Sequence, residues 1–420
     1  MAISGRISQW KKLPLTLTEL CIDTTLQCGQ SFRWRKINDE WICSLRGRVV
    51  VLKQDESCLH YKSMFPNVSP SPSKDIRDED NTDKMLYHYF DLKHDLGALY
   101  EQWSKADPIF KKLAPQFGGV RILNQDAWEA LICFICSSNN NISRISSMAH
   151  KLCKYYGAFI TKIGDEEYHD FPTPEALTNP KVESHLRELG FGYRAQYIAN
   201  TAKIVASKPP GWLNGLRNPE SPAWGAKPAL DSDSDAKPVT YKEAHGELIS
   251  LSGVGPKVAD CVCLMGLGWS ESVPIDTHVW QIAQRDYKFG KTKTKTFTKA
   301  TYDAVGDHFR ELWGKQAGWA HSVLFTADLK AFAKAKDAAK EVMKVKKEAE
   351  EEEDEDGSVD SPAVKVEVKV EEEVTAVEEA PRGRSKRKRA ATAVVKTEDA
   401  LEAKREYTVR TRSQKKAKGQ

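Results

Sequence analysis

Long apolar runs are absent from this 420-residue chain, in which no stretch of about 18 consecutive apolar residues occurs. A membrane-spanning helix is therefore not expected. Cysteine is missing from the last third of the chain, because all nine cysteines lie at or before Cys263, unevenly spaced and mostly in apolar surroundings. This distribution suits reduced thiols better than a disulfide framework and favours an intracellular protein.

The chain also lacks a large excess of positive or negative charge. The formal net charge is +4, and residues 331–420 contribute only +1 of it. Binding to a polyanion would therefore have to come from a local basic surface rather than from the net charge.

The composition indicates a large folded part joined to an unfolded part. The hydrophobic content of 40% can bury a large core, whereas a mean hydropathy of -0.54 and 29% charged residues indicate disorder in part of the chain. We expect an N-terminal domain in residues 1–110, a helical domain in residues 111–333 and a disordered charged tail in residues 334–420. Residues 208–239 contain PPGW, NPESPAWGAKP and DSDSD, which predict a mobile insertion that is dispensable for chemistry.

Period-two patterns near the N-terminus predict a small antiparallel sheet. The alternating runs are residues 31–36, 41–46 and 49–52. Asn38, Asp39 and Gly47 separate these runs, as turn residues do in a β-meander. From about Met85 onward the apolar period becomes helical. The expected fold class is α+β, with an N-terminal antiparallel β-sheet domain followed by mostly α-helical domains.

A helix-turn-helix pattern stands at residues 240–265. Thr240 and Glu243 have the spacing of a capping box, and apolar residues then recur at helical intervals over residues 241–251. Gly253 and Gly255 can take backbone angles that are closed to other residues, so the N–H groups of the turn and of the next helix can face an anion. A helix-hairpin-helix of this kind suits a DNA phosphate and reads no sequence.

The second helix and the loop after it carry an amine, a thiol and a carboxylate. Lys257 and Cys261 are four residues apart and share a helical face, and Asp276 has the position of an N-cap. Desolvation favours the uncharged, nucleophilic form of a lysine amine, which can attack a sugar C1′ and hold it as a Schiff base. A carboxylate can stabilise the cationic sugar. Each residue alone has a structural alternative: a solvated lysine and a simple helix cap.

Several separated motifs, in order, carry a family resemblance. They are GQSFRW at residues 29–34, ICSSNNNI at residues 135–142, LGFGYR at residues 189–194, the hairpin itself and GWA at residues 318–320. Residues 8–330 resemble the helix-hairpin-helix DNA glycosylase superfamily, and most closely its eukaryotic 8-oxoguanine DNA glycosylase/lyases. The resemblance implies that Lys257 and Asp276 are catalytic and that the substrate is double-stranded DNA containing an oxidised purine.

The resemblance also implies a pocket for a base flipped out of the duplex. The carbonyl of Gly29 would accept a hydrogen bond from N7–H of 8-oxoguanine, which unmodified guanine lacks. Cys261 and Phe325 would sandwich the purine plane. At the pairing edge of the base the family commonly has glutamine, whereas this chain has His321, so the range of accepted lesions is left open.

Further residues are implied to contact the DNA itself. Asn139, Arg144 and Arg194 would hydrogen-bond the cytosine left opposite the lesion, for which amide and guanidinium groups are suited. Tyr193 would wedge into the duplex, Gly253 and Gly255 would hold a phosphate, and His278 would contact the 5′ phosphate. The alternatives are that the asparagines only cap the following helix and that His278 only packs.

Neither a metal nor a cofactor is expected. Cys133 and Cys136 form a C-x-x-C pair, but they stand in the apolar segment LICFIC, where core packing is the favoured interpretation over a redox or metal site. No four-cysteine cluster follows the hairpin. The iron–sulfur cluster of endonuclease III-like relatives would therefore have no ligands here.

The tail and the extreme N-terminus carry targeting patterns. Residues 382–389, RGRSKRKR, are typical of a nuclear localisation signal. The first 18 residues contain no acid, a weak transit-peptide feature that leaves a mitochondrial fraction open.

Together these features predict a bifunctional DNA glycosylase/lyase that excises 8-oxoguanine opposite cytosine. We expect a monomer, with downstream repair proteins as further candidate partners. The alternatives are the same chemistry on another oxidised base, or a protein that binds damaged DNA without catalysis.

Overall fold

The computed structural model describes residues 6–66, 80–226, 238–290 and 298–329. The strands near the N-terminus are β1 (Lys11–Pro14), β2 (Arg35–Ile37), β3 (Glu40–Leu45), β4 (Arg48–Gln54) and β5 (Cys58–Met64). They form one antiparallel sheet in the order β1-β5-β4-β3-β2. Later in the chain, β6 (Phe159–Ile163) and β7 (Glu166–His169) pair as a separate antiparallel hairpin.

Helices dominate from residue 82 onward. The α-helices are α1 (Ile22–Thr25), α2 (Thr82–Tyr89), α3 (Leu96–Ala106), α4 (Pro108–Leu113), α5 (Ala127–Ser137), α6 (Ile142–Tyr156), α7 (Val182–Glu188), α8 (Arg194–Ser207), α9 (Trp212–Gly215), α10 (Tyr241–Ile249), α11 (Pro256–Met265), α12 (Thr277–Asp286), α13 (Lys299–Trp313) and α14 (Ala317–Asp328). Short 3-10 turns lie at Ala114–Gln116, Glu175–Leu177 and Gly314–Gln316. The α+β class expected from the sequence is confirmed.

The predicted β-meander is confirmed, with corrected bounds. Asn38 and Asp39 turn the chain between β2 and β3, and Arg46 and Gly47 turn it between β3 and β4, all four with positive φ. Paired positive φ angles match the right-handed twist of a tight hairpin. Residues 31–34, expected in the first strand, are not in a strand, and β1 and β5 were not predicted.

Arg33 lies just before β2. Its side chain forms a buried two-point ion pair with Glu129 on α5, with Nε–Oε1 and Nη2–Oε2 distances of 2.7 and 2.5 Å. Arg33 also donates to Ser44 Oγ on β3 at 2.9 Å. This residue therefore joins the sheet to the helical region.

Three apolar clusters fill the interior of the part of the chain that the structure describes. The largest lies among the helices and centres on α5, whose residues from Ala127 to Cys136 are all buried. A second lies between one face of the sheet and α2, and a small third lies between the sheet and the β6-β7 hairpin. Cys133 and Cys136 belong to the first cluster and are free thiols, as predicted.

The domain bounds stay a prediction. The expected boundary between residues 110 and 111 falls inside α4. The tail at residues 334–420, with its basic cluster, lies outside the described residues, as do residues 1–5. None of the helices in the described ranges has both the length and the apolar composition of a membrane span.

The prediction that residues 208–239 form a mobile insertion is wrong for residues 208–226. Leu213, Leu216 and Arg217 are buried, and Trp269 donates from Nε1 to the Leu216 carbonyl at 2.9 Å. Asn218 donates its backbone N–H to Leu267 at 2.9 Å. The proline and glycine content suggested a loose loop, but these buried anchors hold the segment as a strap (residues 211–226) across the end of α11.

The Arg33–Glu129 ion pair gives a stability prediction. We expect Glu129→Gln to lower the free energy of unfolding by about 3–5 kcal/mol, because it leaves a buried guanidinium without its counter-charge. Denaturant unfolding measures this change. The matched control is Glu166→Gln, which removes the exposed partner of Arg35 and should cost less than about 1 kcal/mol. Equal losses for the two variants would contradict the role of Arg33.

Candidate active site and DNA-binding hairpin

The helix-hairpin-helix predicted from the sequence is formed by α10 and α11. Thr240 and Glu243 make the full capping box at the start of α10. Gly253 has φ +76°, and a Cβ there would lie 2.5 Å from Tyr197 Cγ on α8, so only glycine fits. Gly255 is the N-cap of α11 with φ -97°. Of the two glycines that could adopt backbone angles closed to other residues, Gly253 does so and Gly255 does not.

Lys257 lies in the first turn of α11 with a half-buried side chain. Its Nζ is 3.4 Å from Ser137 Oγ at the end of α5. The same nitrogen lies 5.2 Å from the ring centroid of Phe134. The amine therefore sits between one hydroxyl and an aromatic face, and neither partner was singled out from the sequence.

Asp276 is the N-cap of α12, as predicted. Its Oδ1 accepts hydrogen bonds from the backbone N–H groups of His278 and Val279 at 2.9 and 3.0 Å. These bonds hold the carboxylate at the positive end of the helix dipole. The capping role and a catalytic role are compatible, because the cap uses Oδ1.

A cavity of about 40 Å³ brings the predicted chemical groups together. Its lining residues are Cys28, Gly29, Gln30, Phe134, Lys257, Cys261, Met265, Pro274, Asp276, Val279, His321, Ser322 and Phe325. All six residues expected for catalysis or base binding therefore line the same cavity. Its volume holds only a few water molecules, so a purine can enter only if lining side chains move.

Two larger cavities, of about 380 and 510 Å³, lie beside Arg33 and contain neither Lys257 nor Asp276. Size alone would therefore select the wrong site. The small cavity is distinguished by its chemistry, since it joins an amine, a carboxylate, a thiol and an imidazole.

Burial controls the protonation of two lining residues. Burial raises the pKa of the Cys261 thiol to about 11, against the opposing effect of the nearby Lys257. Burial lowers the pKa of His321 to about 4. At neutral pH the thiol is therefore protonated and the imidazole is neutral. Both ring nitrogens of His321 are buried in this conformation, and neither makes a well-formed hydrogen bond among the described residues.

The residues expected to contact the opposite strand meet outside the cavity. Tyr193 is 46% exposed and donates its hydroxyl to the Ser138 carbonyl at 3.0 Å. Arg194 is buried beneath it and donates to the carbonyls of Ser138 and Asn139. In this conformation Arg194 supports the turn after α5, so contact with a base would require its reorientation.

The other expected DNA contacts are exposed. Arg144 lies on α6 and donates to the Gly190 carbonyl at 3.3 Å. Asn139 has φ +49° at the turn, while Asn141 caps α6 by accepting from the Arg144 N–H at 2.9 Å. His278 lies on α12 with its ring 6.1 Å from that of Phe325. The alternative interpretation, that these asparagines cap the following helix, is thus correct for Asn141. Asn139 does not cap α6 and is free to take another role.

Asp260 was missed by the sequence reasoning. It is buried on α11, where its carboxylate accepts hydrogen bonds from the hydroxyls of Tyr241, Ser272 and Tyr302. Its Oδ1 lies 3.4 Å from His245 Nε2. An Asp within an apolar helix next to Cys261 was the available signal. The carboxylate joins α10, α11, the loop before Asp276 and α13.

Comparisons with known proteins agree with this geometry. Residues 12–131 match the family described as 8-oxoguanine DNA glycosylase, N-terminal domain, and residues 132–305 match the HhH-GPD superfamily of base excision DNA repair proteins. An N-glycosylase/DNA lyase of Saccharomyces cerevisiae is 40% identical over 348 residues, which cover 76% of this chain and 86% of the yeast protein. The chain belongs to the N-glycosylase/DNA lyase family.

Two further relatives of this N-glycosylase/DNA lyase extend the likeness. An Arabidopsis thaliana N-glycosylase/DNA lyase is 34% identical over 333 residues, covering 77% of this chain and 81% of the plant protein. The solved structure of MBOgg1 in complex with a low-affinity DNA ligand has a TM-score of 0.60 and 27% identity, covering 78% of this chain and 98% of that chain. DNA is the partner of this enzyme.

The N-glycosylase/DNA lyase has no group of three or more His, Cys, Asp or Glu side chains placed to hold a metal ion within the described ranges. The groups in the cavity are those of acid–base and nucleophilic chemistry.

The two roles of Asp276 can be separated by mutation. Asn is a good N-cap, so Asp276→Asn should keep the unfolding free energy within about 0.5 kcal/mol of wild type, whereas Asp276→Ala should lose about 1 kcal/mol. Both variants should lose about 10²- to 10³-fold in the single-turnover glycosylase rate, because both remove the charge. An Asn variant with the full rate would restrict Asp276 to capping.

His321 predicts a pH dependence of stability. Its pKa is about 4 in the fold and about 6.5 in an unfolded chain. The stability that it contributes is complete above pH 6.5 and is lost as the pH falls toward 4. Between pH 7 and 4.5 the unfolding free energy of His321→Gln should therefore fall by about 2 kcal/mol less than that of wild type. Identical curves for wild type and His321→Gln would contradict the prediction.

Proposed function

We propose that this N-glycosylase/DNA lyase excises 8-oxoguanine opposite cytosine from duplex DNA through a Schiff base on Lys257. The observation that carries the proposal is the convergence of Lys257, Asp276, Gly29 and His321 on one cavity. The match of residues 12–131 to the 8-oxoguanine DNA glycosylase family supports the choice of substrate.

The reaction begins at the sugar. The Nζ lone pair of Lys257 attacks C1′ while the bond from C1′ to N9 of the base breaks. The base leaves with the electron pair and takes up the proton that Nζ loses on forming the new bond. Asp276 stabilises the positive charge that develops on the sugar. The sugar ring then opens to give a Schiff base between C1′ and Nζ. Ser137 holds the amine in place from 3.4 Å.

The lyase step follows from the Schiff base. The iminium carbon at C1′ acidifies the proton on C2′, and loss of that proton expels the 3′ phosphate by β-elimination. Water then hydrolyses the Schiff base and frees Lys257. The carboxylate of Asp276 is placed in the same cavity to assist these proton transfers.

Recognition of the base depends on one hydrogen-bond acceptor and on two side chains that pack against the faces of the purine. The Gly29 carbonyl accepts N7–H of 8-oxoguanine, and Cys261 and Phe325 enclose the purine plane. A net hydrogen bond contributes about 1 kcal/mol, and more where the wrong base leaves a buried group unpaired. Neutral His321 offers one donor and one acceptor to the pairing edge, with the tautomer set by the base.

The DNA is held at both strands. The N–H groups at the start of α11, after Gly253 and Gly255, donate hydrogen bonds to a phosphate of the damaged strand, and His278 contacts the 5′ phosphate. Tyr193 wedges into the duplex, and Asn139, Arg144 and Arg194 bind the cytosine. Exposure of Tyr193 and Arg144 supports these roles.

The cellular setting completes the proposal. The basic cluster at residues 382–389 supports a nuclear location, with a mitochondrial fraction as the alternative. We infer a monomer, since a single chain carries every group that the reaction uses, and downstream repair proteins are the expected partners.

Borohydride trapping tests the proposed chemistry. Duplexes containing 8-oxoguanine, thymine glycol or undamaged guanine, each opposite its usual partner base, are incubated with enzyme and borohydride, which reduces a Schiff base to a stable adduct. Wild type should trap 8-oxoguanine DNA, and Lys257→Gln should bind the same duplex without trapping. Trapping by Lys257→Gln would refute the nucleophile. Preferential trapping of thymine glycol would assign another oxidised base.

A further inference from the structure

The loop that carries the base-reading carbonyl is held from behind by one buried side chain. Gln125 is 3% exposed and donates from Nε2 to the Gln30 carbonyl at 2.9 Å. Its backbone N–H donates to the Met265 carbonyl, at the end of α11, at 2.8 Å. One residue therefore joins the loop at residues 28–30 to the helix that carries Lys257 and Cys261.

Gln30 is fixed through its side chain as well. Its Nε2 donates to the Arg121 carbonyl at 2.8 Å, and its Oε1 accepts from the Leu123 N–H at 2.9 Å. The side chain of Gln30 and its own carbonyl are thereby tied to residues 121–125. Gly29, directly before it, has φ +82°, and a Cβ there would lie 3.4 Å from Ile142 Cδ1 and 3.9 Å from Phe325 Cε1.

Among the described residues, no hydrogen bond to the Gly29 carbonyl is formed. Gly29 itself lines the cavity. Within the described residues its carbonyl is therefore an acceptor without a protein donor, and the next residue, Gln30, is anchored through its side chain and its carbonyl.

The strap holds Gln125 in turn. Arg217 is buried, and its Nη2 donates to the Gln125 carbonyl at 3.0 Å while its Nη1 donates to Asn124 Oδ1 at 3.1 Å. The strap also binds the segment after α11 through the Asn218 N–H and the Leu267 carbonyl. Residues 124–125 are thus clamped between the strap on one side and the base-binding loop on the other.

We propose that Gln125 is a specificity-determining positioning residue that, braced by Arg217, sets the place of the Gly29 carbonyl relative to Lys257. The role rests on the proposed function, because it concerns the recognition of N7–H. A carbonyl on a loop can distinguish two purines only if it cannot move to relieve a mismatch. The Gln125 amide supplies that rigidity and touches neither the sugar nor the amine.

Comparing the rates of base excision and of abasic-site cleavage distinguishes a role in base recognition from a general structural role. Excision of 8-oxoguanine needs the base pocket, whereas cleavage at a preformed abasic site needs Lys257 but has no base to read. Gln125→Met keeps the length of the side chain and removes the amide. We expect its single-turnover excision rate to fall about ten-fold or more, the factor that one lost buried hydrogen bond corresponds to, with the abasic-site lyase rate within about two-fold of wild type.

Gln27→Met is the matched control, since the same substitution is made at an exposed side chain near the same loop, and it should leave both rates unchanged. Arg217→Lys keeps the charge but not the two-point contact, and it should give the same selective loss with a smaller factor. This variant provides the readout if Gln125→Met does not fold.

Each outcome decides the proposal. Selective loss of excision in Gln125→Met or Arg217→Lys supports it. Loss of both reactions by the same factor, or full excision by both variants, overturns it while the proposed function stands. A wild-type enzyme that traps abasic DNA but leaves 8-oxoguanine in place overturns the substrate assignment, and with it the specificity role of Gln125.

Discussion

The buried carboxylate of Asp260 is the interaction on which the geometry of the site depends. It accepts hydrogen bonds from Tyr241 on α10, from Ser272 in the loop before Asp276 and from Tyr302 on α13. An unpaired buried carboxylate would be very unfavourable, so the partners must all be in place when the chain is folded. Asp260 is one helical turn from Lys257. The hydrogen bonds that the Asp260 carboxylate accepts therefore also position the loop of Asp276 relative to Lys257.

Close packing of α14 against the loop before Asp276 also positions the site. A Cβ at Gly318 on α14 would lie 2.2 Å from the Ser272 carbonyl, so only glycine lets this helix reach the loop. His321 and Phe325 follow on α14, one and two turns later, and line the cavity. The catalytic groups on α11 and α12 and the base-binding groups on α14 are thus placed by the same contacts around Ser272. Movement of α14 would change base binding and the Lys257–Asp276 geometry together.

The sequence predicts the catalytic residues of this site better than the residues that hold them in position. Thr240, Gly253, Lys257 and Asp276 lie within 37 residues, and local rules of capping, glycine geometry and helical spacing suffice to place them. The strap at residues 211–226 was misjudged because its prolines and glycines resemble a loose loop, whereas its order comes from Arg217 and Leu213, whose partners are distant in sequence. Gln125 and Asp260 were missed for the same reason: a buried polar residue gives no periodic signal, and its partners are known only in the fold.

The physical demands of the two reactions explain why the supports lie where they do. Attack on C1′ needs an amine and a carboxylate with fixed separation, and the network of Asp260 provides it on the side of α11. Discrimination between guanine and its oxidised form rests on a single acceptor, whose net contribution of about 1 kcal/mol would be lost if the loop could shift. The loop of Gly29 comes from the β-sheet region, far from α11 in sequence, and the short contacts through Gln125 are the link that turns two separate elements into one rigid recognition surface.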